Sequence, residues 1–138
     1  MNEDDDLGAL CAGAGRSLAE AERPVLDRHG LSMWQYVVLS ALARGAAPSQ
    51  LVLAQQIHYD KTRLIALLDG LEAAGLVGRE ADPGDRRARV VRLTPEGARR
   101  HAAVRDEIRE VEDRKLAGLT PETRRLLRSA LAHLAGAD

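Results

Sequence analysis

Hydrophobic positions fall into helical spacings at both ends of the chain and into short apolar runs between turn residues near its middle. Leu7, Cys11, Ala14, Leu18, Ala21 and Val25 recur every three or four residues. That is a heptad stripe, the spacing that lets one helix lie along another. Pro24, near its end, predicts a kink or a stop, and Gly13 and Gly15 weaken the helix locally. The stripe suits a core-facing helix and a dimer-forming one equally. From Met33 to Ala43 almost every residue is apolar and none is charged, which predicts a buried central helix. Ser32 is its N-cap and Gly45 its stop signal. Pro48-Ser49-Gln50 opens a short helix with Leu51, Leu53, Ala54 and Ile57 as its apolar residues. Asp60 caps the next, which runs from Lys61 to Ala74 and ends at Gly75. A tight turn at His58-Tyr59 joins these two, so the pair reads as a helix-turn-helix.

The texture then changes. Leu76-Val77-Gly78-Arg79-Glu80 is a strand candidate, Asp82-Pro83-Gly84-Asp85 a turn, and Arg89-Val90-Val91-Arg92-Leu93 a returning strand. A two-stranded hairpin is marginal by itself, so this one must pack on the preceding helices as a wing. Thr94-Pro95-Glu96 supplies an N-cap, a proline at the first helical position and an acid in the first turn. It starts a helix to about Leu116 with a thin stripe of Val104, Ile108 and Val111. Thr120-Pro121-Glu122 repeats the signal and starts a last helix to about Ala135, with a thicker stripe of Leu127, Ala130, Leu131 and Leu134. The expected fold is mainly α with a small β-hairpin wing (α+β), a winged helix-turn-helix flanked by N- and C-terminal helices.

Composition adds one expectation about assembly. The 138 residues fit one domain, residues 1–138. Ala and Leu make up 23 and 21 of them, Phe is absent, and the aromatic side chains are Trp34, Tyr36 and Tyr59. A core without large rings buries little area per residue, which favours burial against a second subunit.

The formal charge of −1 hides an uneven distribution. Residues 1–30 carry a net −4, residues 31–43 no charge, and residues 44–100 a net +3. The positive charge sits on the helix-turn-helix and wing, where a polyanion would be met. A lone cysteine, Cys11, excludes an intramolecular disulfide framework and a Cys-cluster metal site. The four histidines are scattered, so no metal and no cofactor is expected. Without a nucleophile, an acid–base pair or a metal set, no enzyme is expected. The chain lacks an apolar run of membrane length and opens on the acidic Met-Asn-Glu-Asp-Asp-Asp, which predicts a cytoplasmic protein away from membranes.

Helix 61–74 turns Leu64, Leu67, Leu68 and Leu71 inward and Thr62, Ala66, Asp69 and Ala73 outward, with Lys61 and Arg63 on the shoulders near its start. A recognition helix presents its N-terminal residues to base edges. Thr62 and Ala66 suit a thymine methyl, and Arg63 a guanine or a phosphate. In the hairpin, Arg79, Arg86, Arg87, Arg89 and Arg92 crowd together, with Arg99 and Arg100 just beyond. Arginine at a hairpin tip enters a minor groove well. Asp85 beside Arg86 and Arg87 is placed to orient one guanidinium through a bidentate pair.

The run Asp85-Arg86-Arg87-Ala88-Arg89-Val90-Val91-Arg92-Leu93-Thr94-Pro95-Glu96-Gly97 resembles the wing signature of the MarR family of transcriptional regulators, D-x-R followed by L-T-x-x-G. Leu53-Ala54 through Asp60-Lys61-Thr62, and Leu71-Glu72-Ala73-Ala74-Gly75-Leu76-Val77, resemble that family's helix-turn-helix and first wing strand. Leu31-Ser32 with Gln35-Tyr36 resembles the start of its second helix. The likeness spans about residues 5–135. It implies a homodimer built by helices at about 5–29 and 98–135, where Leu7, Cys11, Ala14, Leu18, Leu127, Leu131 and Leu134 would meet. The DNA-binding lobe would occupy about 46–97. Two recognition helices would then enter successive major grooves, about 34 Å apart, on a pseudo-palindromic double-stranded operator. Arg87, supported by Asp85, would enter the minor groove, with Arg86 nearer phosphate and Ser49 and Gln50 on the backbone. The chain departs from the family pattern in its recognition helix: Ile65-Ala66 stands where Thr-Arg is common, Gly70 where a basic residue is, and Arg63 where a small hydroxyl is. Wing arginines would therefore carry more of the affinity.

The resemblance also implies a small aromatic or phenolic ligand between the dimerisation helices and the DNA-binding lobe, with Arg16, Trp34 and Tyr36 as candidate lining residues. In a ring-poor chain Trp34 and Tyr36 read equally as core. Some members of the family sense peroxides through an N-terminal cysteine, which in this register falls near Gly8. Cys11 itself reads as a small core or interface residue. Three functions stay open at this point. One is a dimeric ligand-released DNA-binding repressor. The others are a winged-helix module for protein–protein interaction and a thiol-based redox-sensing regulator acting through Cys11.

Overall fold

Six helices and one antiparallel hairpin make up the computed structural model, which describes residues 4–136. The beginning of the acidic N-terminus, Met1 to Glu3, lies outside the described residues. The order is α1 (Leu7–Arg28), α2 (Met33–Ala43), α3 (Gln50–Gln56), α4 (Lys61–Ala73), β1 (Val77–Asp82), β2 (Asp85–Leu93), α5 (Pro95–Lys115) and α6 (Pro121–Leu134). The winged helix-turn-helix with flanking helices expected from the sequence is the fold observed.

Local chemistry sets the boundaries. Ser32 and Gln35 form a reciprocal capping box at the start of α2: Ser32 Oγ accepts the Gln35 N–H and Gln35 Oε1 accepts the Ser32 N–H. Ser49, Asp60, Thr94 and Thr120 each accept a backbone N–H at the starts of α3, α4, α5 and α6. The core is aliphatic. Val38 and Leu39 of α2, Leu53 of α3, Leu64 and Leu68 of α4, Val91 of β2 and Val104 of α5 are fully buried. Each such side chain contributes about 2 kcal/mol by leaving water.

The wing is longer than the sequence predicts. Its strands pair from Val77 with Leu93 to Asp82 with Asp85, joined through Pro83-Gly84, with an irregularity at Ala81/Asp82. Asp82 accepts the Gly84 N–H and holds the turn closed. A further pairing escaped the pattern, because Ala47 bonds in both directions to Val91 and ties the segment before α3 to the wing.

Three expectations are corrected or narrowed. First, α1 does not stop at Pro24 but runs through it to Arg28. Val25 and Leu26 lie in the core, and packing holds the last turn despite the lost hydrogen bond. Second, of the two readings the heptad stripe leaves open, the core-facing one applies only to its C-terminal end. Leu7, Cys11 and Ala14 are exposed, Leu18 and Ala21 half-buried, and Val25 alone of the stripe is buried. Third, α2 is not buried all round. Trp34 is 41% exposed at its first turn and stacks on Tyr59 at 4.4 Å between ring centroids.

α1 and α5 pack antiparallel. Arg28 and His29 both bond Glu107, Arg100 donates to the His29 carbonyl, and Lys115 reaches Ser17 at the far end. α6 is tied to α5 by Arg128–Glu112 and Arg124–Asp113 and buries none of its residues. Leu126, Leu127, Leu131 and Leu134 are all exposed there. No helix of the described residues is long and apolar enough to cross a membrane.

Candidate nucleic-acid interface

The α3–α4 turn is held by its backbone. Tyr59 donates its N–H to the Ala54 carbonyl at 2.9 Å, and His58 takes a left-handed φ of +54° between them. A non-glycine residue in that region is strained, so the turn is fixed by its surroundings. Asp60 then accepts the Arg63 N–H at 2.9 Å and starts α4 in register. With Leu64, Leu68 and Leu71 buried, Lys61, Thr62, Arg63 and Ala66 are left exposed on the helix's outer face.

Asp85, Arg86, Arg87 and Arg89 are exposed on the wing. Asp85 accepts the backbone N–H of Arg87 at 2.9 Å, so it shapes the strand entry and does not form the guanidinium pair expected from the sequence. Ser49, Gln50, Lys61, Arg87 and Arg89 line one notch of about 220 Å³, which brings the candidates of α3, α4 and the wing to one surface. Arg79 leaves the wing's group of free arginines. Its side chain is 9% exposed and bonds Asp69, Glu72 and Gln50. The Arg79 guanidinium lowers the pKa of Glu72, and the carboxylates raise that of Arg79.

The L-T-x-x-G run has a structural cause. Thr94 donates its hydroxyl to the Gly75 carbonyl at 2.6 Å and accepts the Gly97 N–H, while its own N–H meets the Leu76 carbonyl. The run thus locks the start of α5 against the end of α4 and the base of the wing.

A second concavity, about 640 Å³, opens between α1, α2, α5 and the α3–α4 turn. Tyr36, Ser40, His58, His101, Arg105 and Arg109 line it, with Glu22 and Glu112. His101 shares a 3.0 Å hydrogen bond with Ser40 and stacks on Tyr36. Burial lowers the His101 pKa, and Arg105 lowers it further. Burial also raises the pKa of Tyr36 and of Glu22. Of the three expected lining residues, Tyr36 lies here. Arg16 is exposed on α1 and Trp34 is engaged by Tyr59, so neither lines this cavity within the protomer. Ser40, His101, Arg105 and Arg109 went unnoticed in the sequence, where Ser40 and His101 are 61 residues apart and no motif joins them. Among the described residues, no group of three or more His, Cys, Asp or Glu is placed to hold a metal ion.

The family model described as MarR family matches residues 29–88. The transcriptional regulator FarR of Neisseria gonorrhoeae is 30% identical over 88% of this chain and 84% of its own length. The matched stretches cover 64% and 51% of the length of two other curated relatives. Among solved structures, the repressor CouR bound to a 23-mer DNA duplex superposes with a TM-score of 0.85 at 28% identity, covering 94% of this chain and 92% of that one. CouR has also been solved, from Rhodococcus jostii RHA1, bound to p-coumaroyl-CoA. NadR in complex with 4-hydroxyphenylacetate superposes with a TM-score of 0.86 at 27% identity, covering 100% and 98% of the two chains. Capped helix-turn-helix, arginine-bearing wing, Thr94–Gly97 lock and these likenesses agree, and the chain belongs to the MarR family of winged-helix transcriptional regulators.

Proposed function

We propose that the protein is a homodimeric repressor that binds a pseudo-palindromic DNA operator and releases it when a small aromatic or phenolic anion binds. The observation that carries the reading is the single exposed surface on which the start of α4 and the wing arginines meet. Lys61, Thr62, Arg63 and Ala66 would face base edges in the major groove, and Arg87 would enter the minor groove. Arg86 and Arg89, with Ser49 and Gln50, would hold phosphates. The exposed leucines of α6 and the bare N-terminal half of the α1 stripe supply the second subunit's seat, with Leu7, Cys11, Ala14, Leu18, Leu127, Leu131 and Leu134 in it. The DNA-bound CouR structure supports the docking mode by likeness.

The cavity beside Tyr36 suits the ligand. It joins a ring stack, a hydroxyl and two α5 arginines, of which Arg109 is paired with Glu112 at 3.8 Å and Arg105 is left to meet an aromatic carboxylate. NadR and CouR, both similar in fold, hold hydroxylated aromatic compounds or their thioesters. A ligand there touches Ile57 and His58 of the turn before α4, so differential binding would shift the helix's placement.

Selection of duplexes from a random library, followed by anisotropy titration at rising salt, tests the reading. An inverted repeat and a steep fall of affinity with salt are expected. Recovery of no preferred repeat sinks it. Addition of 4-hydroxyphenylacetate and related phenolic acids is expected to release the duplex, and Arg105→Gln to blunt that release.

A further inference from the structure

Arg79 sits where three elements of the candidate surface converge. From β1 its guanidinium donates to Gln50 Oε1 on α3 at 3.1 Å, to Asp69 Oδ1 on α4 at 2.5 Å and to both Glu72 oxygens on α4 at 3.2 and 3.3 Å. The guanidinium only donates, so the Gln50 amide must turn its carbonyl towards it. That leaves the Gln50 NH2 as the group offered to an acceptor in the notch shared with Ser49, Lys61 and Arg87. The two carboxylates matter as well. Asp69 and Glu72 are exposed on α4, on the same helix as Lys61, Thr62 and Arg63, and a bare carboxylate there repels phosphate.

We infer that Arg79 is a positioning residue for DNA binding that contacts no DNA itself: it turns the Gln50 amide outward as a phosphate donor and neutralises Asp69 and Glu72 on the recognition helix. The inference rests on the DNA-binding reading above. It also explains how a recognition helix with few cations of its own tolerates two acids. Their charge is answered from the wing side by an arginine held almost out of solvent.

The test uses the full chain and a labelled duplex recovered by selection with the wild-type protein. Arg79→Met keeps the bulk and removes the charge. It is expected to weaken binding about tenfold, the scale of one charge-assisted hydrogen bond, with a smaller change in salt slope than the loss of a phosphate-bound cation would give. Gln50→Ala should weaken binding alone, yet add little in the Arg79→Met background. Asp69→Asn with Glu72→Gln should restore part of the loss in that background. Melting curves recorded alongside separate these effects from unfolding, since a merely structural arginine would lower the melting midpoint without coupling to Gln50. Wild-type affinity in Arg79→Met overturns the inference alone. So do losses from Arg79→Met and Gln50→Ala that multiply, with no rescue on removing the carboxylates. Failure of the wild-type protein to bind any selected duplex overturns the DNA-binding reading, and the inference with it.

Discussion

The carbonyl oxygen of Leu76 occupies the place a side chain on Gly97 would need: a Cβ there would lie 1.9 Å from it. The neighbour is backbone at the start of the wing, and it cannot swing aside as a side chain could. Gly97→Ala is therefore expected to destabilise the fold by about 3 kcal/mol, at the upper end of overpacking costs. Thermal melts at fixed protein concentration should show the midpoint falling by about 10 °C. An unchanged midpoint would mean that α5 can start elsewhere.

The wing arginines of the proposed surface can be separated from the helix by salt. Arg86→Ala, which removes a cation placed on phosphate, should weaken binding to every duplex by roughly the same factor and lower the slope of log affinity against log salt by about 1. Thr62→Ala should leave that slope alone and change which bases are preferred. A Thr62→Ala variant that selects the same repeat as wild type argues against α4 as the reader.

His101 gives the fold a pH dependence of defined sign. Burial and Arg105 hold its pKa below the ordinary imidazole value, so the unfolded chain binds a proton more readily than the folded one. Stability is highest above that ordinary value, about 6.5. It falls as pH drops through it and levels off below the depressed folded pKa. His101→Gln should remove this part of the slope in denaturant titrations at a series of pH values. A His101 ring signal titrating at or above the ordinary value would contradict the sign.

Leu131 is 43% exposed in the protomer on a helix with no buried residue. If that face seats a second copy, Leu131→Asp should raise the dimer dissociation constant about a hundredfold, because it leaves a charge in an apolar contact. Sedimentation equilibrium reads the outcome directly. Leu51→Asp is equally exposed and lies on α3 away from the stripe, so it should leave assembly unchanged.

Periodicity and caps were legible because they are local. The starts of α2, α4, α5 and α6 follow from Ser32, Asp60, Thr94 and Thr120, each a side chain bonding a backbone N–H three residues on. The parts that escaped depend on partners distant in sequence. Nothing in its neighbours marks Arg79 as a clasp, because Gln50 lies 29 residues away and Asp69 10. Pro24 misleads for a related reason. Its helix-breaking tendency is local, whereas Val25 and Leu26 are held by contacts with other elements. Asp85 looked like a partner for a neighbouring guanidinium, yet the nearer backbone N–H of Arg87 took it.

The Trp34–Tyr59 stack makes the molecule its own optical gauge. The chain has a single tryptophan, so its indole emission reports from one place, and that place touches the residue just before the Asp60 cap. A shift of the α3–α4 turn by a fraction of an ångström would alter the overlap of the two rings, and with it the intensity and colour of the light. Movement of α4 can thus be followed in real time on the unlabelled protein, with no dye attached.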